Sequence, residues 1–294
     1  MTQTLTEKNY LQQEDTNNES SVFEQDRDKA LVYVDDYGMS LEFVSKKLRD
    51  DDEVVLTAVS NQGFALQFAS DRIKNDRNIV FRAICENGFA IKYASSSLQK
   101  DKTLGIIAVS VRPLALEVLH EDLRNDPAVV KTALKLSGRA INVAPEKFKD
   151  DKEIVLIAVE NDGTALEFVS EKMKDDKDVV MTAVRQNGEA LEFASKRLKN
   201  DRDVVITACS NYGDALSLIS DELRDDDEIV LSAVENDFTA CEFASDRIKA
   251  DRDMALRLIV TNPFTFVYLS SALQDDPYLQ KIAENKIRLK QFLF

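Results

Sequence analysis

Two runs of four acids, Asp50-Asp51-Asp52-Glu53 and Asp225-Asp226-Asp227-Glu228, are the first places to look for chemistry in this chain. Hard cations take oxygen ligands, and a calcium loop sets them at alternating positions around a sharp glycine turn closed by a bidentate glutamate. Neither run contains a glycine. Each opens an apolar stretch of helical period, where an Asp can cap the first amides and further acid offsets the helix dipole. Capping is the reading adopted, and no metal is expected. His120 is the only histidine. Nucleophilic catalysis wants a base beside an activated nucleophile, and no such motif accompanies it. Cys85, Cys209 and Cys241 show neither CxxC nor ligand spacing, as free thiols in a reducing compartment would. Among 53 acids, no carboxylate pair stands apart from the capping pattern. No catalytic, cofactor-binding or metal residue is assigned, no cofactor is expected, and the chain is read as a non-enzyme.

What positions these residues is a repeat. Written in rows of 25 from Asp26, the first column is Asp eleven times running, from Asp26, Asp51 and Asp76 to Asp276, without insertion or deletion. Columns 4, 5, 8 and 9 are apolar in most rows, as in Val54, Val55, Ala58 and Val59, and make one helical stripe. The spacing predicts a helix from about column 2 to column 12, capped by the column 1 Asp. Column 13 holds seven of the eight glycines, among them Gly63, Gly138 and Gly188, which reads as a left-handed helix stop. Columns 15, 16, 18 and 19 form a second stripe, as in Ala165, Leu166, Phe168 and Val169, and predict a second helix. Ala recurs in eight rows at columns 8 and 15, which implies close backbone approach. Aromatic residues at column 18 are expected to fill the space between successive hairpins. Ser at column 20, replaced by Pro145 in the fifth row, is read as the cap of one short turn anchored by the apolar column 23.

A unit of this kind cannot bury its own apolar face, and stacking buries it against its neighbours. The expected fold is all-α: a right-handed-type α-solenoid of ten 25-residue helical hairpins over residues 26–275. Residues 1–25 read as a disordered acidic and polar tail, and 276–294 as a C-terminal capping helix.

The unit is similar to the tandem family catalogued as domain of unknown function 4116. Asp176-x-x-Val179-Val180, Ala183-Val184, Gly188-x-Ala190-Leu191-Glu192-Phe193-Ala194-Ser195 and Leu198-Lys199 carry the resemblance. It implies an all-helical repeat protein and no reaction.

Function is then sought on the surface. Glu42, Glu117, Glu167, Glu192 and Glu242 recur at column 17 and form a partial acidic ladder. Column 24 is basic in eight rows, and each cation there is read as offsetting the neighbouring acids. Rows four and five depart most from the pattern. Pro113 replaces the column 13 Gly, and His120 and Pro145 replace the column 20 Ser. Basic residues gather there, Arg112, Arg124, Lys131, Lys135 and Arg139 with His120 being the candidates for partner binding. A local break in consensus is where function can override folding.

The net charge of −15 disfavours nucleic acid, whose binding rests on Lys and Arg neutralising phosphate. No apolar run approaches the ~20 residues of a membrane span. The N-terminus lacks a classical signal peptide, so a cytoplasmic protein is expected, with export by a non-classical system left open. The reading is a monomeric protein-protein interaction scaffold that binds a protein partner along the solenoid. The alternatives are a structural or accessory subunit of a larger assembly, and a ligand-binding or enzymatic site in rows four and five.

Overall fold

The computed structural model describes the backbone over residues 26–292 and side chains to Leu289. The expected disordered tail at 1–25 lies outside the described residues. Within the described residues the chain is helical throughout, an all-α repeat solenoid. It divides into two compact units, Met1–Val129 and Val130–Phe294.

The long helices are α1 (Arg27–Asp36), α2 (Asp52–Asn61), α3 (Arg77–Glu86), α4 (Lys102–Val111), α5 (Pro127–Leu136), α6 (Lys152–Asn161), α7 (Lys177–Gln186), α8 (Arg202–Asn211), α9 (Asp227–Asn236), α10 (Arg252–Thr261) and α11 (Pro277–Phe292). Each helix but the last has ten residues, and each follows a column 1 Asp. The cap is as expected: one Asp51 oxygen accepts from the amides of Glu53 and Val54, both at 3.1 Å. Columns 4, 5, 8 and 9 are buried, as in Val179, Val180, Ala183 and Val184 of α7. The column 12 residue leaves in an extended conformation, Gln62 at φ −142°, while its amide still bonds the Ala58 carbonyl at 2.8 Å.

The second helix differs from expectation. It is a six-residue 3₁₀ segment over columns 13–18, for example Gly63–Phe68 or Gly188–Phe193, then two extended residues and a separate single turn. With three residues per turn, positions three apart eclipse. Gly63, Leu66 and Ala69 therefore share one buried side. The column 20 Ser opens the short turn as read: Ser170 Oγ accepts from the Met173 amide at 3.3 Å.

The column 13 glycines also differ. None has the positive φ of a left-handed stop. They are small because the next repeat presses on them. A β-carbon on Gly88 would lie closer than 3.0 Å to the Ala108 carbonyl oxygen, and one on Gly213 would lie 2.8 Å from that of Ala233. The column 8 Ala is the other half of this contact, 20 residues downstream.

Within Met1–Val129, α1 to α4 pack in order, each helix on the next, and so do the 3₁₀ segments from Gly38–Phe43 to Pro113–Val118. Within Val130–Phe294 the same two rows run from α6 to α11 and from Gly138–Val143 to Pro263–Tyr268. Each long helix packs on 3₁₀ segments, so the core lies between the two rows.

Candidate interaction surface

Three seams join consecutive repeats, and each is built from columns that recur. At the first, the column 2 cation reaches the next repeat's capping acid. Lys177 Nζ lies 2.8 Å from Asp201 and 3.0 Å from Asp203. Lys152 holds Asp176 and Asp178 in the same way. The Arg27 guanidinium holds the Asp51 carboxyl below its ordinary pKa, and the Lys102 ammonium does the same for Asp126.

The second seam is a clamp that the sequence pattern did not single out. The column 11 side chain accepts from the preceding column 13 amide. Gly138 N–H donates to Asn161 Oδ1 at 2.6 Å, and Gly213 N–H to Asn236 Oδ1 at 2.8 Å. The clamp also gives back, since Asn161 Nδ2 donates to the Lys135 carbonyl at 2.9 Å. Without it, a tightly packed amide and a helix-end carbonyl would lack partners. Its sequence signal is the amide or acid at Asn61, Glu86, Asn161, Gln186, Asn211 and Asn236. Rows four and five carry Val111 and Leu136 there, which cannot accept a hydrogen bond.

At the third seam the column 20 amide donates to the preceding column 24 carbonyl, as Ser195 does to Lys174 at 2.9 Å. The same serine hydroxyl donates to the preceding column 25 acid, Ser170 to Asp150 at 2.8 Å and Ser195 to Asp175. That bond, with the Arg197 guanidinium, keeps the Asp175 carboxyl below its ordinary range. Pro145 has no amide to give here, and His120 caps its turn through Nδ1, which accepts from the Asp122 amide at 3.2 Å.

Several column 24 cations are bonded within their own repeat. Arg224 lies against its own repeat, donating to the Leu216 carbonyl at 3.2 Å and the Ser217 carbonyl at 2.6 Å. Arg49 does likewise toward Glu42 and Val44. Arg124 is half-buried in the same column, but its Nε is buried without a hydrogen-bond partner.

The other candidates fall in both units. Arg112, His120 and Arg124 belong to Met1–Val129, whereas Lys131, Lys135 and Arg139 belong to Val130–Phe294. Arg112 and Lys135 are exposed. Lys131 is bonded to Glu153 at 2.5 Å. Arg139 lies on the Phe168 ring, 4.9 Å from its centroid, and bonds Thr164 Oγ1 at 2.8 Å and Glu167 at 3.3 Å.

Glu42, Glu117, Glu167, Glu192 and Glu242 are all exposed, each on its own 3₁₀ segment. In Val130–Phe294 these segments pack side by side, so Glu167, Glu192 and Glu242 share one face. The column 18 aromatics border it only half-buried, Phe168, Phe193 and Phe243 among them. They edge the surface rather than filling the space between repeats. In rows seven to nine this face adds Glu189, Asp214 and Asp237. Among the described residues none of Glu189, Glu192, Asp214, Asp237 or Glu242 has a salt-bridge partner. Burial raises the Tyr212 hydroxyl pKa, and the nearby charges of Asp214, Glu189 and Glu192 raise it further.

The long-helix face is different. Its column 6 is apolar in every row but the fifth, which has Lys131, and was not read from the sequence as surface, yet Leu56 and Phe81 are 43% and 42% exposed. A 460 Å³ recess on that face is lined by Ile206, Glu228, Leu231, Ser232, Glu235 and Thr261. A second recess, of 300 Å³, lies beside Phe243. Among the described residues, no cluster of three or more His, Cys, Asp or Glu is placed to hold a metal. Burial pushes the Cys209 thiol up to about 12 and the Cys241 thiol up to about 11, so both stay protonated near neutrality.

The profile of the domain of unknown function (DUF4116) matches residues 26–74, 51–99, 76–124, 126–174, 176–224 and 226–274. The chain belongs to this family. Every match opens on a capping Asp and closes on the column 24 residue of the following row, so one family domain holds one complete set of seams. Neither the curated proteins nor the solved structures compared with the chain gave a match. No helix among the described residues is long and apolar enough to cross a membrane.

Proposed function

We propose that this DUF4116 chain is a non-enzymatic protein-protein interaction scaffold whose partner lies along the row of 3₁₀ segments. One observation carries the reading. Acids at the seams are tied to cations, amides or hydroxyls of the chain itself, whereas those on the 3₁₀ face of rows seven to nine have no salt-bridge partner among the described residues and stand beside half-exposed aromatics. Aromatic surface next to unpaired charge suits recognition by another chain. On this reading the protein acts in the cytosol as a monomer, needs no cofactor, and uses the column 17 glutamates as contacts.

The test is affinity capture with the full chain and with a Glu167→Lys, Glu192→Lys, Glu242→Lys triple variant. A partner retained by the wild type and lost by the variant is expected. The same proteins retained by both would overturn the reading. A second reading, an accessory part of a larger assembly, draws on exposed apolar residues in the outermost repeats, such as Val32 and Phe43 at one end and Val267 and Leu289 at the other. It would show as co-purification that survives the triple variant and fails when Val267 and Leu289 are made polar.

A further inference from the structure

One repeat already contains a bound cation on this face, and it belongs to the chain itself. In row six, Asp162, Thr164, Glu167 and Phe168 form a socket. Thr164 Oγ1 donates to Asp162 Oδ1 at 2.7 Å and accepts from the Arg139 guanidinium at 2.8 Å. That guanidinium lies 4.9 Å from the Phe168 centroid and 3.3 Å from Glu167. Stacking on the ring plus a carboxylate on one edge is what a guanidinium seeks.

Row nine rebuilds the socket with the same residue types in the same columns: Asp237, Thr239, Glu242 and Phe243. Its inner bond is the same, Thr239 Oγ1 donating to Asp237 Oδ1 at 2.7 Å. The residue in the place of Arg139 is Asp214. An acid therefore stands where row six has its cation, and among the described residues none of Asp214, Asp237 and Glu242 has a salt-bridge partner. Two cations of these rows are bonded to backbone carbonyls, Lys249 to that of Glu242 at 2.5 Å and Arg224 to those of Leu216 and Ser217. Beside Phe243 the 300 Å³ recess is lined by Asp221, Arg224 and Asp246, with Arg224 3.6 Å from the Asp221 carboxylate and Asp246 without a salt-bridge partner among the described residues. Two rows back, Glu192 and Phe193 repeat the acid-aromatic pair with Thr164, not an Arg, in the position that feeds it.

We propose that the row nine socket takes an arginine side chain from an extended basic segment of another protein, and that the Glu192-Phe193 pair takes a second cation of the same segment. This rests on the scaffold reading and names the chemistry of its partner. At roughly 10 Å per packed repeat the two places lie about 20 Å apart, which an extended chain spans in about six residues.

The probe is a fluorescein-labelled 14-residue Gly/Ser peptide carrying two arginines six residues apart, read by anisotropy against the full chain at low salt. Saturable binding is expected, at least tenfold weaker when both arginines are citrulline. Asp214→Arg places in row nine the cation that row six has, an arrangement the fold already accepts. It should weaken binding at least tenfold with an unchanged unfolding midpoint. Arg139→Asp, which empties row six, should add a binding place and raise the stoichiometry. Equal binding of the citrulline peptide, or an Asp214→Arg variant that binds as the wild type does, overturns the proposal. A concentration-dependent dimer abolished by Asp214→Arg would make the occupant a second copy and also overturn it. If a captured partner stays bound to Asp214→Arg while the peptide does not bind at all, the socket fails and the scaffold stands.

Discussion

Carboxylates occupy two regions of this molecule under opposite conditions. At the seams they lie against the first amides of the long helices and beside cations of the neighbouring repeat, and several are held below their ordinary pKa. On the 3₁₀ face of rows seven to nine they have no salt-bridge partner among the described residues. The two sets cannot be told apart by composition, since both contribute to the same net charge of −15. What separates them is column. A carboxylate in columns 1, 3 or 25 builds the stack, whereas Glu189, Glu192, Asp214, Asp237 and Glu242, in columns 12, 14 and 17 of rows seven to nine, are left over once the stack is built. The surplus is where recognition can be sought.

The comparison breaks most sharply at the glycine column, where the seam tolerates no added atom. A β-carbon on Gly188 would meet the Ala208 carbonyl and would stand 2.7 Å from Tyr212 Cβ. Backbone cannot move aside as a side chain does, so Gly188→Val should cost about 3 kcal/mol, the upper end of overpacking. The check is the urea midpoint followed by circular dichroism. Glu189→Val, its neighbour on the exposed face, should shift the midpoint by less than about 0.5 kcal/mol. Asn161→Leu comes next. It strands the Gly138 amide and the Lys135 carbonyl, for about 2 kcal/mol.

These two columns also mark where the sequence was legible and where it was not. The capping aspartates were readable because an N-cap is a local rule, and eleven of them in register leave no other explanation. The glycines were placed correctly and given the wrong job. A left-handed stop and a steric contact leave the same mark, a Gly after an apolar run, and only the Ala 20 residues downstream tells them apart. The clamp at Asn161 was missed for a related reason. Its partner lies 23 residues away on the previous repeat, and a polar residue near a helix end reads as ordinary surface. The second helix was misjudged because six residues with apolar positions at 15, 16, 18 and 19 fit an α-helix or a 3₁₀ segment equally well. Of the site, the Glu192 and Glu242 ladder was visible. The socket was not, because Arg139 and Phe168 are 29 positions apart and meet only through stacking.

Smaller effects sharpen the seam itself. Asp201→Ala removes an acceptor for the amides of Asp203 and Val204, at 3.2 and 3.3 Å, and should cost about 1–2 kcal/mol. Asp201→Ser keeps the cap and drops the Lys177 pair, so it should recover most of that loss, the exposed pair being worth less than about 1 kcal/mol. The seam acids with lowered pKa, among them Asp51, Asp126 and Asp175, bind protons less readily folded than unfolded. Their stabilisation is full above the unfolded value near 4 and falls away as pH drops through the lower folded values. Urea midpoints should hold from about pH 7 to 5 and fall below about pH 4. Adding salt should erode the lysine pairs but leave the amide caps.

The smallest effect is the most discriminating, because it sets equal charge changes in the two regions against each other. Asp176→Ala and Glu192→Ala each delete one carboxylate. The first removes the acceptor that serves the Asp178 and Val179 amides and breaks the Lys152 pair, so its midpoint should fall. The second removes a group with no salt-bridge partner among the described residues, and its midpoint should stay within about 0.5 kcal/mol of wild type. A second readout places Glu192 in the acid field rather than alone in solvent. Burial is the larger cause of the raised Tyr212 pKa, and the charges of Asp214, Glu189 and Glu192 supply the rest. Glu192→Ala should therefore bring the Tyr212 titration down a little, and Glu189→Gln with Glu192→Gln further. Absorbance titration of each variant against its Tyr212→Phe counterpart isolates that phenol. If the Tyr212 titration does not move when both charges are gone, the carboxylates of this face do not act on one another, and the contrast with the seams loses its electrostatic basis.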